Sequence, residues 1–170
     1  MELKGKKILV TGGNGFLGKF VVKELEKKQI TDVFTPSSSE LDLRLQKSCE
    51  DAVKDIDIVF HCAALADIVP SIQKPKKYHE SNVTGSLNVV SSCVKYNVKK
   101  IIYTASSSCY GINKNTPTSE DEKISPEYPY ALTKYLGEQI ILHWSKVYNL
   151  KCISLRLFNV YGPRSRTSGT

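Results

Sequence analysis

No stretch of this chain is apolar for long enough to cross a membrane, and Ile8-Leu9-Val10 is too brief for the core of a secretory leader. No C-x-x-C pair occurs. The five cysteines (Cys49, Cys62, Cys93, Cys109 and Cys152) are scattered and odd in number, which reads as reduced, packed thiols in a cytoplasmic protein. The three histidines are isolated, so no metal site is expected. Acidic residues are outnumbered, 17 against 24 basic ones, for a net charge of +7. The lysines come as scattered pairs such as Lys6-Lys7, Lys27-Lys28 and Lys99-Lys100, with no interleaved aromatics. A solvated surface is therefore expected and no nucleic-acid partner, although such a field also suits an anionic small molecule. Repeats and low-complexity segments are missing too. With 170 residues, 41% of them hydrophobic, the chain suits one globular domain with a real core.

What the chain does have is the segment from Lys6 to Gly18, where a short apolar strand runs into a glycine-rich turn. Leu17, Val21 and Leu25 then recur at helical spacing. A strand, a glycine turn and a helix in this order hold a dinucleotide pyrophosphate. Glycine permits a positive-φ turn, backbone amides approach the phosphates, and the helix N-terminus supplies partial positive charge. Two spacings can be read, Gly13-x-Gly15-x-x-Gly18 and Gly12-x-x-Gly15-x-x-Gly18. Gly13 to Lys19 also spells the beginning of a P-loop, but Phe20 stands where a magnesium-binding hydroxyl is required, so a nucleotide triphosphatase is disfavoured.

Four continuous apolar runs (7–11, 57–62, 100–105 and 152–158) predict strands buried on both faces, with shorter strands at 32–35 and 41–43. Helical patterns alternate with them: Val83, Leu87, Val90 and Val94 form one stripe, and residues 131–147 another. The segments 35–40, 66–77 and 111–129 read as loops. This alternation predicts an α/β fold with a doubly wound parallel sheet of the Rossmann type across residues 1–170. Ligands of such sheets lie beyond the carboxyl ends of the strands, so the residues there matter most. After the third long run comes Ser106-Ser107-Ser108-Cys109-Tyr110-Gly111, and Tyr130 and Lys134 stand four apart where a helix begins. A free tyrosine ionises near pH 10. A nearby ammonium and a nicotinamide cation would favour the phenolate, making the tyrosine a base for a substrate hydroxyl while a serine orients the same oxygen. Each part alone has a duller explanation, an exposed helical lysine or ordinary turn chemistry. The glycine fingerprint tips the balance toward function.

In this combination the chain resembles the extended short-chain dehydrogenase/reductase family, in its nucleotide-sugar epimerase/dehydratase branch. The motifs that carry the likeness are Thr11-Gly12-x-x-Gly15-x-x-Gly18, His61-Cys62-Ala63-Ala64, Asn82-Val83-x-Gly85, Ser106-x-x-x-Tyr110-Gly111, Tyr130-x-x-x-Lys134 and Arg156-x-Phe158-Asn159-Val160-Tyr161-Gly162-Pro163. The resemblance implies Ser106, Tyr130 and Lys134 as the catalytic trio, Ser106 standing four residues before Tyr110-Gly111. It implies cofactor contacts from Gly12, Gly15, Phe16, Leu17, Gly18, Ala63 and Ala64, adenine flanked by Asp42 and Leu43, and Asn82 in support. Tyr130 and Lys134 would also touch the cofactor, Lys134 at the nicotinamide ribose. Ser106 and Asn159 would meet a nucleotide-diphosphate sugar. Against these stand plainer readings: Asn82 as a bridge, Asp42 as a turn residue, His61 as a packed core histidine.

Departures from the family pattern narrow the expectation. Thr35-Pro36-Ser37-Ser38-Ser39 offers no acidic residue for the adenosine ribose, and only Arg44 is near for a 2′-phosphate, so NAD and NADP both stay open. Ser107-Ser108 stand where dehydratases of the family carry an acidic pair, and Cys109 is one place from a catalytic cysteine position and reads as packing. Family members continue into a substrate domain that is expected to be absent from residues 1–170. The expectation is thus the cofactor-binding part of an NAD(P)-dependent nucleotide-sugar epimerase, which oxidises and re-reduces C4. The alternatives are a reductase or dehydratase of the same family, or a non-catalytic dinucleotide sensor. Pairing into a homodimer, through the helices after the second and third long strands, is a further implication of the resemblance.

Overall fold

The computed structural model describes residues 3–112 and 116–165. Its strands are β1 (Ile8–Thr11), β2 (Val33–Phe34), β3 (Ile58–His61), β4 (Lys100–Ser106) and β5 (Lys151–Leu157). They form one parallel sheet in the order β2-β1-β3-β4-β5. The helices are α1 (Phe16–Lys27), α2 (Gln46–Val53), α3 (Ile68–Gln73), α4 (Pro75–His79), α5 (Gly85–Lys95) and α6 (Pro129–Val147). A π-helical turn, Glu80–Thr84, joins α4 to α5, and a short 3₁₀ turn, Ser107–Tyr110, follows β4. The strand order reverses between β1 and β3, which opens a crevice outside their carboxyl ends.

Alternate residues of the central strands feed two cores. Leu9, Val59, Ile101 and Tyr103 pack against Val89, Val90 and Cys93 of α5 and Ile141 of α6. Ile8, Val10, Ile58 and Ile102 pack against Leu25 of α1 and Ile30. Both faces are covered, so these runs are continuously apolar without alternation. The expected strand 152–158 differs. β5 alternates, with Ile153 and Leu155 each 43% exposed. Ile153 pairs in register with Ile102 at the edge of the sheet, and the core that covers Ile102 does not reach it.

Two further expectations are corrected. Residues 41–43 form no strand, because side chains satisfy their backbone groups. Asp42 N–H donates to Ser48 Oγ, Arg44 N–H to Asp42 Oδ1, and Leu43 O accepts from Asn88 Nδ2. Segment 66–77 contains α3 and most of α4 in place of a loop. Pro70 sits in the first turn of α3 and Pro75 in that of α4, the one part of a helix where proline is tolerated.

The junction of β1 with α1 is unusually close. Gly12 adopts φ +70°, and a Cβ there would lie 2.8 Å from the Ala63 backbone. A Cβ on Gly18 would lie 2.1 Å from the Gly12 carbonyl oxygen, so α1 rests on the turn with only a hydrogen between them. Gly18→Ala is expected to destabilise the chain by about 2 kcal/mol, because backbone must shift on both sides. Urea unfolding checks this, and an unchanged midpoint would contradict the close approach.

Candidate active site

At the carboxyl ends of β1 and β3 lies a cleft of about 580 Å³. Thr11, Gly12, Asn14 and Gly15 form its floor, Pro36 to Ser38 and Leu41 to Arg44 one end, and Ala63 to Leu65 a wall. The first amides of α1 have no acceptor within their own helix and begin at Phe16, directly after Gly15. Of the residues expected at a cofactor, Gly12, Gly15, Asp42, Leu43, Ala63 and Ala64 line this cleft. Phe16, Leu17 and Gly18 belong to the helix start behind it. A dinucleotide fits these surroundings: the unpaired amides at the start of α1 suit an anion, and the Gly12 floor against Ala63 leaves no room for a Cβ.

Beneath the floor runs a buried polar chain whose direction follows from donor arithmetic. Ser86 Oγ donates to Asn82 O at 2.6 Å, so it accepts from His61 Nε2 at 3.2 Å. His61 Nδ1 is then the bare nitrogen and takes the Thr11 hydroxyl proton at 2.7 Å. Thr11 Oγ1 in turn accepts from Ala63 N–H at 3.3 Å. His61 is fully buried, and burial pushes its pKa down to about 3, so the ring stays neutral as this chain requires. That bears out the plain reading of His61 as a packed core histidine.

Asn82, in the π-helical turn, is spent on protein groups. Its Oδ1 accepts from Leu65 N–H at 2.8 Å, and its Nδ2 donates to Leu65 O at 3.0 Å and Thr133 Oγ1 at 3.2 Å. It therefore bridges the cleft wall to α6, one residue before Lys134.

Ser106, Tyr130 and Lys134 meet at the end of β4, beside the cleft and not in its lining. Tyr130 OH stands 3.5 Å from Ser106 Oγ, the outer limit of a hydrogen bond. Lys134 Nζ donates to Thr104 O at 2.6 Å and lies 4.4 Å above the Tyr103 ring, whose hydroxyl donates to Lys134 O. Burial pulls the Lys134 pKa down to about 8. Asn159 is exposed beyond β5 and is not brought to the other residues.

Three contributors carried no role in the sequence reading. Glu138, only 2% exposed, takes Arg156 Nε on both oxygens and the Ser154 hydroxyl. Arg156 Nη1 donates onward to Tyr110 OH and Glu120 O, tying the serine turn to α6. Glu138 follows Lys134 by four residues and was visible as a helical neighbour; its partner on β5 was not. Glu40 accepts from both the amide and the hydroxyl of Ser37 at 2.7 Å. That Ser-x-x-Glu spacing was a readable signal. At the same end of the cleft Asp42 grips Arg44 through two side-chain bonds, which hold its carboxyl below the usual range.

The sequence matches the NAD dependent epimerase/dehydratase family over residues 8–170. It is 33% identical over 175 residues to UDP-glucose 4-epimerase of Lactobacillus helveticus, covering 94% of this chain and 53% of the relative. Among solved structures, it superimposes on Thermus thermophilus UDP-glucose 4-epimerase in complex with NAD with a TM-score of 0.87 at 30% identity, covering 95% of this chain and 58% of the other. The Thermotoga maritima UDP-glucose 4-epimerase with UDP-glucose gives 0.86 at 33% identity, with coverage of 95% and 58%. The chain thus spans about half the length of the relatives it matches.

The lowered Lys134 pKa has a sign that can be checked. An unfolded lysine keeps its proton up to about 10.5, the buried one only to about 8, so this residue adds stability as pH rises through that window. Below it, the buried charge is a standing penalty. Lys134→Met is expected to be at least as stable as the parent at neutral pH and to lack the gain on going to pH 10.5. Urea midpoints at both pH values test it; a large loss at neutral pH would contradict the penalty.

Proposed function

The chain belongs to the NAD dependent epimerase/dehydratase family, and from that premise we propose that it is the cofactor-binding and catalytic part of a UDP-sugar 4-epimerase. The observation that carries the reading is the junction itself. A cleft shaped for a dinucleotide lies against a phenol, an ammonium and a hydroxyl gathered at the end of the neighbouring strand. The epimerase relatives, two of them solved with NAD or a UDP-sugar, support the same substrate class.

Gly12 and Gly15, with the Phe16 and Leu17 amides at the start of α1, hold the pyrophosphate, and Gly18 keeps that helix close. Ala63 and Ala64 form the wall along the dinucleotide, Asn82 fixes that wall through Leu65, and Asp42 with Leu43 flanks the adenine. NAD, when bound, would supply the hydride-accepting and hydride-donating chemistry. Tyr130 removes the proton of the sugar C4 hydroxyl as that carbon is oxidised, and gives it back when the ketone is reduced from the other face. Ser106 holds the same oxygen. Lys134 keeps a positive charge near the phenol at neutral pH, because its proton is lost only near 8, and it is the residue that would bond the nicotinamide ribose. Asn159 meets the sugar nucleotide. The Glu40 carboxylate on Ser37 and the engagement of Arg44 by Asp42 favour NAD over a cofactor bearing a 2′-phosphate.

Serines in place of an acidic pair at 107 and 108 weigh against a dehydratase. Two copies would pair through α5 and α6, the latter exposing Leu132 and Leu142. Free, mostly buried cysteines suit the reducing cytoplasm, and no helix among the described residues is long and apolar enough to cross a membrane.

The test is interconversion of a UDP-hexose and its C4 epimer by the full-length natural protein that carries residues 1–170. Tyr130→Phe is expected to lower kcat about a hundredfold or more with little change in NAD affinity. Near-parental turnover would overturn the assignment.

A further inference from the structure

The serine turn holds a second hydroxyl in direct contact with the first. Ser106 Oγ and Ser108 Oγ lie 2.7 Å apart, and the Ser108 amide also donates to Ser106 Oγ at 3.2 Å. Tyr130 OH addresses the same oxygen at 3.5 Å. A serine hydroxyl has one proton to give and two lone pairs to fill. The Ser108 amide takes one lone pair of Ser106 whatever else happens. While Tyr130 keeps its proton and donates it, the second lone pair is filled, and the Ser106 proton is left to point at Ser108 Oγ. When Tyr130 has given up its proton, it no longer donates to Ser106, whose own proton turns to the phenolate in the empty site or to the sugar oxygen when substrate is bound. The vacated lone pair is then open to the Ser108 hydroxyl.

We propose that Ser108 is a positioning residue that sets the direction of the Ser106 hydroxyl, accepting a hydrogen bond from it while the site is empty and Tyr130 protonated, and donating one to it when the Ser106 proton is aimed at the phenolate or the sugar oxygen. The proposal rests on the trio assigned above and deepens it. No proton passes to or from Ser108. Two O–H bonds rotate and none breaks, so the proton balance between substrate and Tyr130 is untouched. Aligned hydroxyls polarise one another, so the pair stabilises the phenolate more than Ser106 alone. Tyr103 on β4 and Tyr128 before α6 are in electrostatic contact with Tyr130, Glu127 acts on Tyr128, and Lys134 follows Tyr130 by one helical turn. Lys134 bonds Thr104 O and Tyr103 bonds Lys134 O, and Ser108→Ala removes neither bond.

The experiment compares Ser108→Ala, Ser108→Thr, Ser106→Ala and Tyr130→Phe. Ser108→Ala keeps the amide bond to Ser106 and loses only the hydroxyl. It is expected to lower kcat about threefold to tenfold with KM nearly unchanged, and to move the acidic limb of the kcat profile to higher pH. Ser108→Thr restores both. A second readout needs neither cofactor nor turnover. The tyrosinate absorbance that disappears in Tyr130→Phe should develop at higher pH in Ser108→Ala and at the parental pH in Ser108→Thr. An unshifted profile and absorbance in Ser108→Ala, with Ser106→Ala still crippled, overturns the proposal and leaves the trio standing. Equal loss in Ser108→Ala and Ser108→Thr also overturns it, since bulk and not the hydroxyl would then matter. Full turnover by Tyr130→Phe removes the trio and this proposal with it.

Discussion

The buried hydrogen-bond chain from Ala63 through Thr11, His61 and Ser86 to Asn82 is the constraint on which the site depends. It links the end of β1, the end of β3 and the π-helical turn, three segments far apart in sequence. Asn82 then carries the linkage to Thr133, the residue before Lys134. The wall of the cleft and the helix that bears the phenol and the ammonium are therefore set by one connected network. It works in one direction only, with a neutral imidazole. Burial guarantees that state, since a protonated ring would be two donors and would leave the Thr11 hydroxyl without its acceptor.

The π-helical turn is what lets one helical run serve two purposes. A continuous α-helix from Pro75 to Lys95 would present one regular face to the sheet. The wider turn at Glu80–Thr84 brings Asn82 inward to grip Leu65 while α5 still packs Val89, Val90 and Cys93 on the core. The chemistry end of the sheet is held in a comparable way. Glu138 and Arg156 join α6, β5 and the serine turn through bonds that leave little freedom for Ser106 relative to Tyr130. A buried carboxylate of this kind is tolerated because its guanidinium partner and a serine hydroxyl satisfy it.

Local rules made much of this legible. The glycine turn, the four long strands, α1 and α6 all follow from periodicity and spacing, because each is decided within a dozen residues. What escaped reading was decided at a distance. Residues 41–43 look like a strand until Ser48 and Asn88 take their backbone groups. The prolines at 70 and 75 look like breakers until each falls in the first turn of its helix. β5 has the composition of a central strand and is an edge of the sheet formed by the described residues. At the site, Ser106, Tyr130 and Lys134 could be singled out from the likeness to the family and their order along the chain. The Glu138–Arg156 pair and the His61 chain could not, since their members meet only when strands and helices are assembled.

In this proposal the turn after β1, with its positive-φ glycine against Ala63, is the binding surface for a nicotinamide dinucleotide. The decisive measurement is calorimetric titration of the chain with NAD, alongside Gly15→Val, whose extended backbone (φ -76°) admits a side chain at the cleft, with circular dichroism matched to the parent. The account predicts saturable binding to one site that is lost in the variant, whose side chain would occupy the floor of the cleft. No saturation by the parent, or undiminished binding by the folded variant, would contradict it.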